Sequence, residues 1–186
     1  MRVIAGCAGG VRLSSPRRGV RPTMDRVKAA IFSSLGEMVI GARVLDLFAG
    51  TGALGIEALS RGADSAVFVE SDRQSSAAIE KNLAKAKLLG RVRQQDAFSF
   101  LKNAGAIGGK FRIIFADPPY DKMKSGERFT DKLLSHEALP RLLDADGVFV
   151  LEKRPGEEVP KTKLWRIDRQ KTYGATEVLF LSANRE

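Results

Sequence analysis

The sequence predicts an α/β fold: a mostly parallel, doubly wound sheet closed by a C-terminal antiparallel hairpin. Three observations carry this. Short apolar runs without polar alternation recur along the chain, as in strands buried on both faces. Segments of helical periodicity separate them. Near residue 164 the rhythm changes to strand, turn and strand.

The elements follow in order. Val3-Ile4-Ala5 and Val11-Arg12-Leu13 flank Gly9-Gly10 and read as two short strands around a turn. Thr23 is the expected N-cap of a helix with Asp25 in its first turn, Val27, Ala30, Ile31 and Leu35 on one face, and Gly36 as its stop. Val44-Leu45-Asp46-Leu47-Phe48 is a strand, and Leu54 to Ser60 a helix closed by Gly62. Ala66 to Val69 is a second strand, followed by a helix over about 72–88 and a short third strand, Val92 to Gln95. Phe111 to Ala116 is a strongly apolar fourth strand. Glu127 to Leu143 reads as mostly helical, broken near Pro140, and Val148 to Leu151 as a fifth strand. Leu164 to Thr172, a Tyr173-Gly174 turn and Val178 to Leu181 form the hairpin. This divides the chain into a basic arm, 1–22, and a main domain, 23–186.

Composition narrows the function classes. In 186 residues, 44% are hydrophobic and 28% charged, the usual globular mix. One cysteine, Cys7, and one histidine, His136, exclude an internal disulfide and a Cys/His zinc site. Cys7 is expected to pack among small residues, His136 to sit near a helix start, and Trp165 to belong to the core. No signal-peptide core and no apolar run of about 20 residues is present, so a cytoplasmic, membrane-free protein without bound metal is expected, acting as a monomer.

The charge is uneven. The net charge is +9, and residues 1–30 supply six of those charges: Arg2, Arg12, Arg17, Arg18, Arg21, Arg26 and Lys28 against Asp25 alone. An arginine-dominated arm on a nearly balanced body suits a polyanion, because a planar guanidinium matches phosphate and its binding releases counterions. A nucleic acid is the expected partner.

Gly50-Thr51-Gly52-Ala53-Leu54-Gly55 fits G-x-G-x-x-G between a strand and a helix, with Glu70 about 20 residues on. A dinucleotide pyrophosphate or S-adenosylmethionine could use such a loop. Asp46, four residues before Gly50, would repel a pyrophosphate and suits the ammonium and sulfonium of the second cofactor. Glu70 can accept from ribose hydroxyls, and Asp96, after the third strand, from the adenine amine. Acid at three successive strand ends favours the cationic cofactor.

Asp117-Pro118-Pro119-Tyr120 directly follows the fourth strand. At about 5% per residue type, four specified residues occur by chance in roughly one chain of this length in a thousand. An exocyclic amine of a base is a poor nucleophile because its lone pair is delocalised into the ring. The Asp117 carboxylate and Pro118 carbonyl can accept its two N–H bonds and localise that pair, while Tyr120 offers a stacking face for an extruded base.

Together, Val44 to Gly52 and Asp117 to Tyr120 resemble a class I S-adenosylmethionine-dependent amino-methyltransferase. Arg21-Pro22-Thr23-Met24-Asp25-Arg26-Val27, Glu57-Ala58-Leu59-Ser60-Arg61-Gly62-Ala63 and Lys171-Thr172-Tyr173-Gly174 narrow the resemblance. They are similar to the bacterial 16S ribosomal RNA guanine-N2 methyltransferases that act on guanine 966 of the small subunit. The resemblance implies a Rossmann-like, seven-stranded sheet with an N-terminal extension. It implies S-adenosylmethionine held by Asp46, Phe48, Gly50, Thr51, Gly52, Glu70, Ser71, Asp96 and Ala97. The guanine would lie at Asp117, Pro118, Pro119 and Tyr120, ribosomal RNA would be gripped by Arg12, Arg17, Arg18 and Arg21, and Thr23 and Arg26 would touch either the RNA or the cofactor. The family loop often has Ser where Thr51 stands. The rivals are an adenine-N6 methyltransferase of DNA or RNA, which shares the Asp-Pro-Pro-Tyr motif, a nicotinamide-dependent dehydrogenase, and a non-catalytic RNA-binding assembly factor.

Overall fold

The seven strands of the computed structural model run β1 (Arg43–Leu47), β2 (Ser65–Glu70), β3 (Arg91–Gln94), β4 (Phe111–Ala116), β5 (Leu143–Lys153), β6 (Trp165–Tyr173) and β7 (Thr176–Ala183). Their order in the sheet is β3-β2-β1-β4-β5-β7-β6. All pairs from β3 to β5 are parallel, and β7 lies antiparallel to both β5 and β6. The structure describes residues 1–16, 22–103, 108–120, 123 and 126–185, with the side chains of 22–24 outside that description.

Two helical layers cover the sheet. On one face α1 (Pro22–Leu35), α2 (Ala53–Ser60) and α3 (Arg73–Ala86) bring Ile31, Phe32, Ile56, Ala58 and Ile79 against Val44, Phe68, Ile113, Phe115 and Val150. On the other, α4 (Ala97–Lys102), α5 (Phe129–Leu134) and α6 (Ala138–Leu142) pack Phe98, Leu101, Leu133 and Leu139 against Leu45, Leu47, Ile114, Ala116 and Leu151. The central strands are buried on both sides, hence the apolar runs without alternation. The reversal of strand order lies between β1 and β4, and in such sheets ligands bind beyond the strand C-termini at that point.

Several elements differ from the sequence expectation. The helix expected to start after Thr23 already includes Pro22, whose missing N–H costs nothing in a first turn. The 127–143 segment breaks at 135–137 rather than at Pro140, which sits in the first turn of α6 where proline is tolerated. The helix α4, with Asp96 as its N-cap, has no expected counterpart; six residues are too few for periodicity to show.

The N-terminal arm is pinned to the sheet domain. It pairs at one bridge, Arg2 with Arg12, and turns over 5–10. Val3, Ala8 and Leu13 enter the same core as α1 and α2. The Ile4 and Ala5 amides donate to the Glu57 carboxylate at 2.7 and 3.1 Å, and the Cys7 amide to the Ser60 carbonyl at 2.8 Å. Gly6 passes so close to α2 that a Cβ on it would fall 1.8 Å from that carbonyl oxygen, so no other residue fits. Cys7 is exposed, contrary to the packing role expected, because it lies on the outer side of this turn. Trp165 is buried against Phe149, as expected, with ring centroids 5.1 Å apart.

Candidate active site

The loop after β1 is shaped by three left-handed residues, Phe48 (φ 57°), Gly50 (φ 55°) and Gly52 (φ 77°), of which Gly52 caps α2. Phenylalanine is disfavoured in that region. Here its ring is held edge-on against Phe98 and Phe129, with centroids 6.0 and 5.7 Å away. These three rings pack together on the α4–α5 side of the sheet. The other side of the loop is tied down by Asn82, fully buried in α3, whose amide donates to the Thr51 carbonyl and to the Ser14 carbonyl, both at 3.0 Å.

Carboxylates occupy the loop's free amides. Gly50 N–H donates to Glu70 Oε2 at 2.8 Å, and the Asp72 amide to Glu70 Oε1 at 2.8 Å. Gly55 N–H donates to Asp46 Oδ2 at 2.9 Å. A side chain at Gly55 would meet the Phe68 ring at 2.3 Å, which explains the third glycine without a phosphate. A pyrophosphate at this helix start would find two of its amides already taken by negative charge. That weighs against the dehydrogenase reading.

The sheet register sets a row of carboxylates. Asp46 on β1 faces the α1–α2–α3 layer, as do Phe115 on β4 and Val150 on β5. Side chains alternate faces, so Asp117 and Glu152, two residues beyond Phe115 and Val150, continue on that face. Three carboxylates from β1, the end of β4 and β5 thus converge. Burial pushes the Asp46 carboxyl up to about 8, with Asp117 and Glu70 adding to the effect and the Gly55 amide opposing it. Burial raises Asp117 to about 6. Glu152 is held well above the usual carboxylate range by burial and then by the charges of Asp117 and Asp46. Among the described residues no cation pairs with Asp46, Asp117 or Glu152. Such a row favours a positively charged ligand, so the donor set fits S-adenosylmethionine.

Beyond β4, Pro118 is buried, Pro119 exposed, and Tyr120 38% exposed. The Tyr120 hydroxyl shares a hydrogen bond of 3.2 Å with Thr176 Oγ1, and the Arg154 guanidinium lies 5.5 Å from its ring centroid. Burial is the main cause that raises the Tyr120 hydroxyl's pKa, so the ring is held as a neutral phenol at the edge of the site.

The remaining expected residues are placed less directly. Asp96 accepts from Ser99 N–H at 2.9 Å and starts α4, with Ala97 buried behind it. Ser71 is exposed between Glu70 and α3. Arg12 and Arg26 are exposed. The Arg12 carbonyl accepts from Lys85 Nζ, which fixes the arm's backbone to α3 while its guanidinium stays outside. Arg17, Arg18 and Arg21 lie outside the described residues, as does the Thr23 side chain. The structure joins Asp46, Gly50, Gly55 and Glu70 by hydrogen bonds, and Asp117 to Asp46 by proximity. It also adds Glu152, Arg154 and Thr176, which sequence reading missed. Glu152 had a signal like that of Asp46: an acid interrupting the apolar run Val148 to Leu151 at its C-terminal end.

Known proteins agree with this geometry. A Bacillus subtilis protein named "Putative rRNA methyltransferase YlbH" is 38% identical over 182 residues, covering 96% of each chain. The Haemophilus influenzae "Ribosomal RNA small subunit methyltransferase D" is 30% identical over 178 residues, 94% of this chain and 89% of that one. The solved structure of a hypothetical protein from Thermus superimposes with a TM-score of 0.82 at 30% identity, covering 98% of this chain and 99% of that one. The family model described as "Conserved hypothetical protein 95" matches residues 1–182. The chain belongs to that family, whose fold is that of the class I S-adenosylmethionine-dependent methyltransferases.

Proposed function

We infer that the protein transfers a methyl group from S-adenosylmethionine to the exocyclic N2 amine of a guanine in small-subunit ribosomal RNA, as the guanine-966 enzymes it resembles do. The observation that carries this reading is the convergence of Asp46 and Asp117 on one face, with the Asp-Pro-Pro-Tyr turn at the mouth. When bound, the cofactor supplies an electrophilic methyl carbon on a sulfonium. Asp46, Glu70, Asp96 and the Gly50–Gly52 loop would hold it.

The chain's own residues handle the nucleophile. Asp117 accepts one N–H of the amine and the Pro118 carbonyl the other, which draws the nitrogen lone pair out of conjugation with the ring. Neither proline offers an N–H, so the turn presents acceptors and does not flex. Tyr120, tethered to Thr176, gives the base a face to stack on, worth about 1–3 kcal/mol. Holding the reacting atoms about 3–3.5 Å apart accounts for much of the acceleration such sites achieve. The proton leaves once the nitrogen has taken the methyl group and become acidic, so Asp117 need only orient and receive it. The exposed Arg12 of the arm and Arg26 of α1 grip phosphate.

The test is methyl-labelled S-adenosylmethionine with small subunits from cells lacking the mark. Label in N2-methylguanosine at a single site is expected. Label in N6-methyladenosine would overturn the base assignment, and the absence of label in RNA would overturn the function.

A further inference from the structure

Glu152 is a half-buried carboxylate to which methyl transfer, as derived above, gives no part in holding the base. Ala116 on β4 pairs with Leu151 on β5, so Asp117 and Glu152 are the next residues out on neighbouring strands and share a face. Neighbouring strands lie about 4.8 Å apart, which brings the two carboxyl groups to within reach of adjacent atoms on one base. Their mutual influence agrees with this closeness: the charge of Asp117 acts on Glu152, and that of Glu152 on the Tyr120 hydroxyl. Among the described residues the Glu152 side chain has no hydrogen-bond or ion-pair partner, while its backbone pairs with Val178 on β7.

The strand order says which ligand Glu152 meets. The cofactor-side features, the Gly50–Gly52 loop, Glu70 and Asp96, follow β1, β2 and β3, all on one side of β4. Glu152 is on β5, across Asp117 from them, in the same quarter as Tyr120, Arg154 and Thr176. That quarter belongs to the base.

We propose that Glu152 determines base specificity by accepting the N1–H of the guanine whose N2 amine Asp117 holds. This rests on the guanine-N2 reading above and deepens it. The Watson–Crick edge of guanine presents N1–H and the N2 amine side by side, donors on neighbouring atoms, and two carboxylates on neighbouring strands complement them. Adenine places a bare N1 acceptor beside its amine. Burial alone favours the protonated acid, but an N1–H donor set against Glu152 favours its carboxylate; that carboxylate would repel adenine's lone pair, so the same Asp-Pro-Pro-Tyr turn becomes selective for guanine through a residue on another strand. No covalent step is involved; Glu152 acts by hydrogen bonding alone.

The test uses the full protein and target RNA carrying guanine, 2-aminopurine or 6-thioguanine at the methylated position. 2-Aminopurine keeps the N2 amine but turns N1 into an acceptor; 6-thioguanine keeps N1–H and changes only position 6. The wild-type protein should methylate 6-thioguanine RNA within about threefold of guanine RNA, and 2-aminopurine RNA at least about 100-fold more slowly, as expected when a buried acceptor loses its donor. In Glu152→Gln, whose amide can donate to N1 or accept from it, the preference for guanine over 2-aminopurine should shrink to about tenfold or less. Glu152→Ala should show the same collapse, and an unchanged circular dichroism spectrum in either variant establishes an intact fold. Equal wild-type rates on guanine and 2-aminopurine would overturn the assignment, as would discrimination that survives in both variants. Failure of the wild-type protein to methylate guanine at all would instead overturn the guanine-N2 reading, and this assignment with it.

Discussion

Lys28 on α1 and Glu57 on α2 form an ion pair of 3.1 Å, with both side chains almost wholly buried. Around Glu57 also gather the Ile4 and Ala5 amides and the Arg61 guanidinium, and Lys28 further donates to the Arg2 carbonyl. One carboxylate therefore fastens the arm, α1 and α2 to each other. Glu57→Ala would strand a buried ammonium, and breaking a buried pair from one side costs about 3–5 kcal/mol. The expected outcome is a loss of that size in denaturant unfolding, with faster hydrogen exchange at the Ile4 and Ala5 amides. Loss of less than about 1 kcal/mol would show that the arm is not held this way.

Asp46 gives stability a pH dependence of defined sign. Its folded-state pKa of about 8 lies above its ordinary 3.8, so the fold favours the protonated acid. Its stabilising contribution is complete below about pH 4 and is lost as pH rises toward 8. Asp46→Asn should match the wild type in acid and become more stable than it by about 1–3 kcal/mol near pH 8. Cofactor affinity should fall at least about tenfold in the same variant, because a bound sulfonium would draw the Asp46 carboxyl into its ionised form and asparagine cannot ionise. Thermal unfolding against pH and cofactor titration measure the two effects.

Gly55 is a packing requirement between the loop and β2. A Cβ there would lie 2.3 Å from the Phe68 ring and 3.1 Å from Asp46 Oδ2. Gly55→Ala should cost about 1–3 kcal/mol by overpacking and weaken the cofactor by displacing Asp46. Adding Phe68→Leu should recover part of both losses. An alanine variant as stable as the wild type would place the ring elsewhere.

On the proposed reading the arm's arginines should act on RNA affinity rather than on turnover. Replacing Arg17 and Arg18 together with alanine should reduce the salt dependence of RNA binding by up to about two units of slope. Arg12→Ala should reduce it by about one, since its guanidinium is exposed and only its backbone is used to hold the arm. Unchanged slopes would make these residues ordinary solvated surface.

Much of this architecture was legible in the amino-acid sequence, for physical reasons. Strands buried on both faces leave unbroken apolar runs, so β1, β2 and β4 stood out. Gly50, Gly52 and Asp117 to Tyr120 showed because their chemistry is concentrated in contiguous residues. What depends on distant pairing did not show. Glu152 becomes part of the site only through the register of β4 with β5. Asn82 and Glu57 read as ordinary polar positions of helices, yet each is fully buried and satisfied by backbone from the arm. Phe98 and Phe129 likewise meet Phe48 only through tertiary packing. Cys7 misled because a small-residue neighbourhood suggests burial, whereas in the turn over 5–10 it is Ala8 that enters the core and Cys7 beside it that is exposed.

The central claim is that Asp117 makes the base amine reactive without being needed to bind the RNA. The decisive measurement is single-turnover methyl transfer to small-subunit RNA by Asp117→Asn, with cofactor and RNA affinities measured on the same sample. Asparagine keeps the shape, loses the charge and places a competing amide before the amine. Transfer should fall by at least about 100-fold, the scale expected for a positioned proton acceptor, while RNA affinity stays within about threefold of wild type. Transfer within a few-fold of wild type, or RNA affinity lost along with it, would contradict the account.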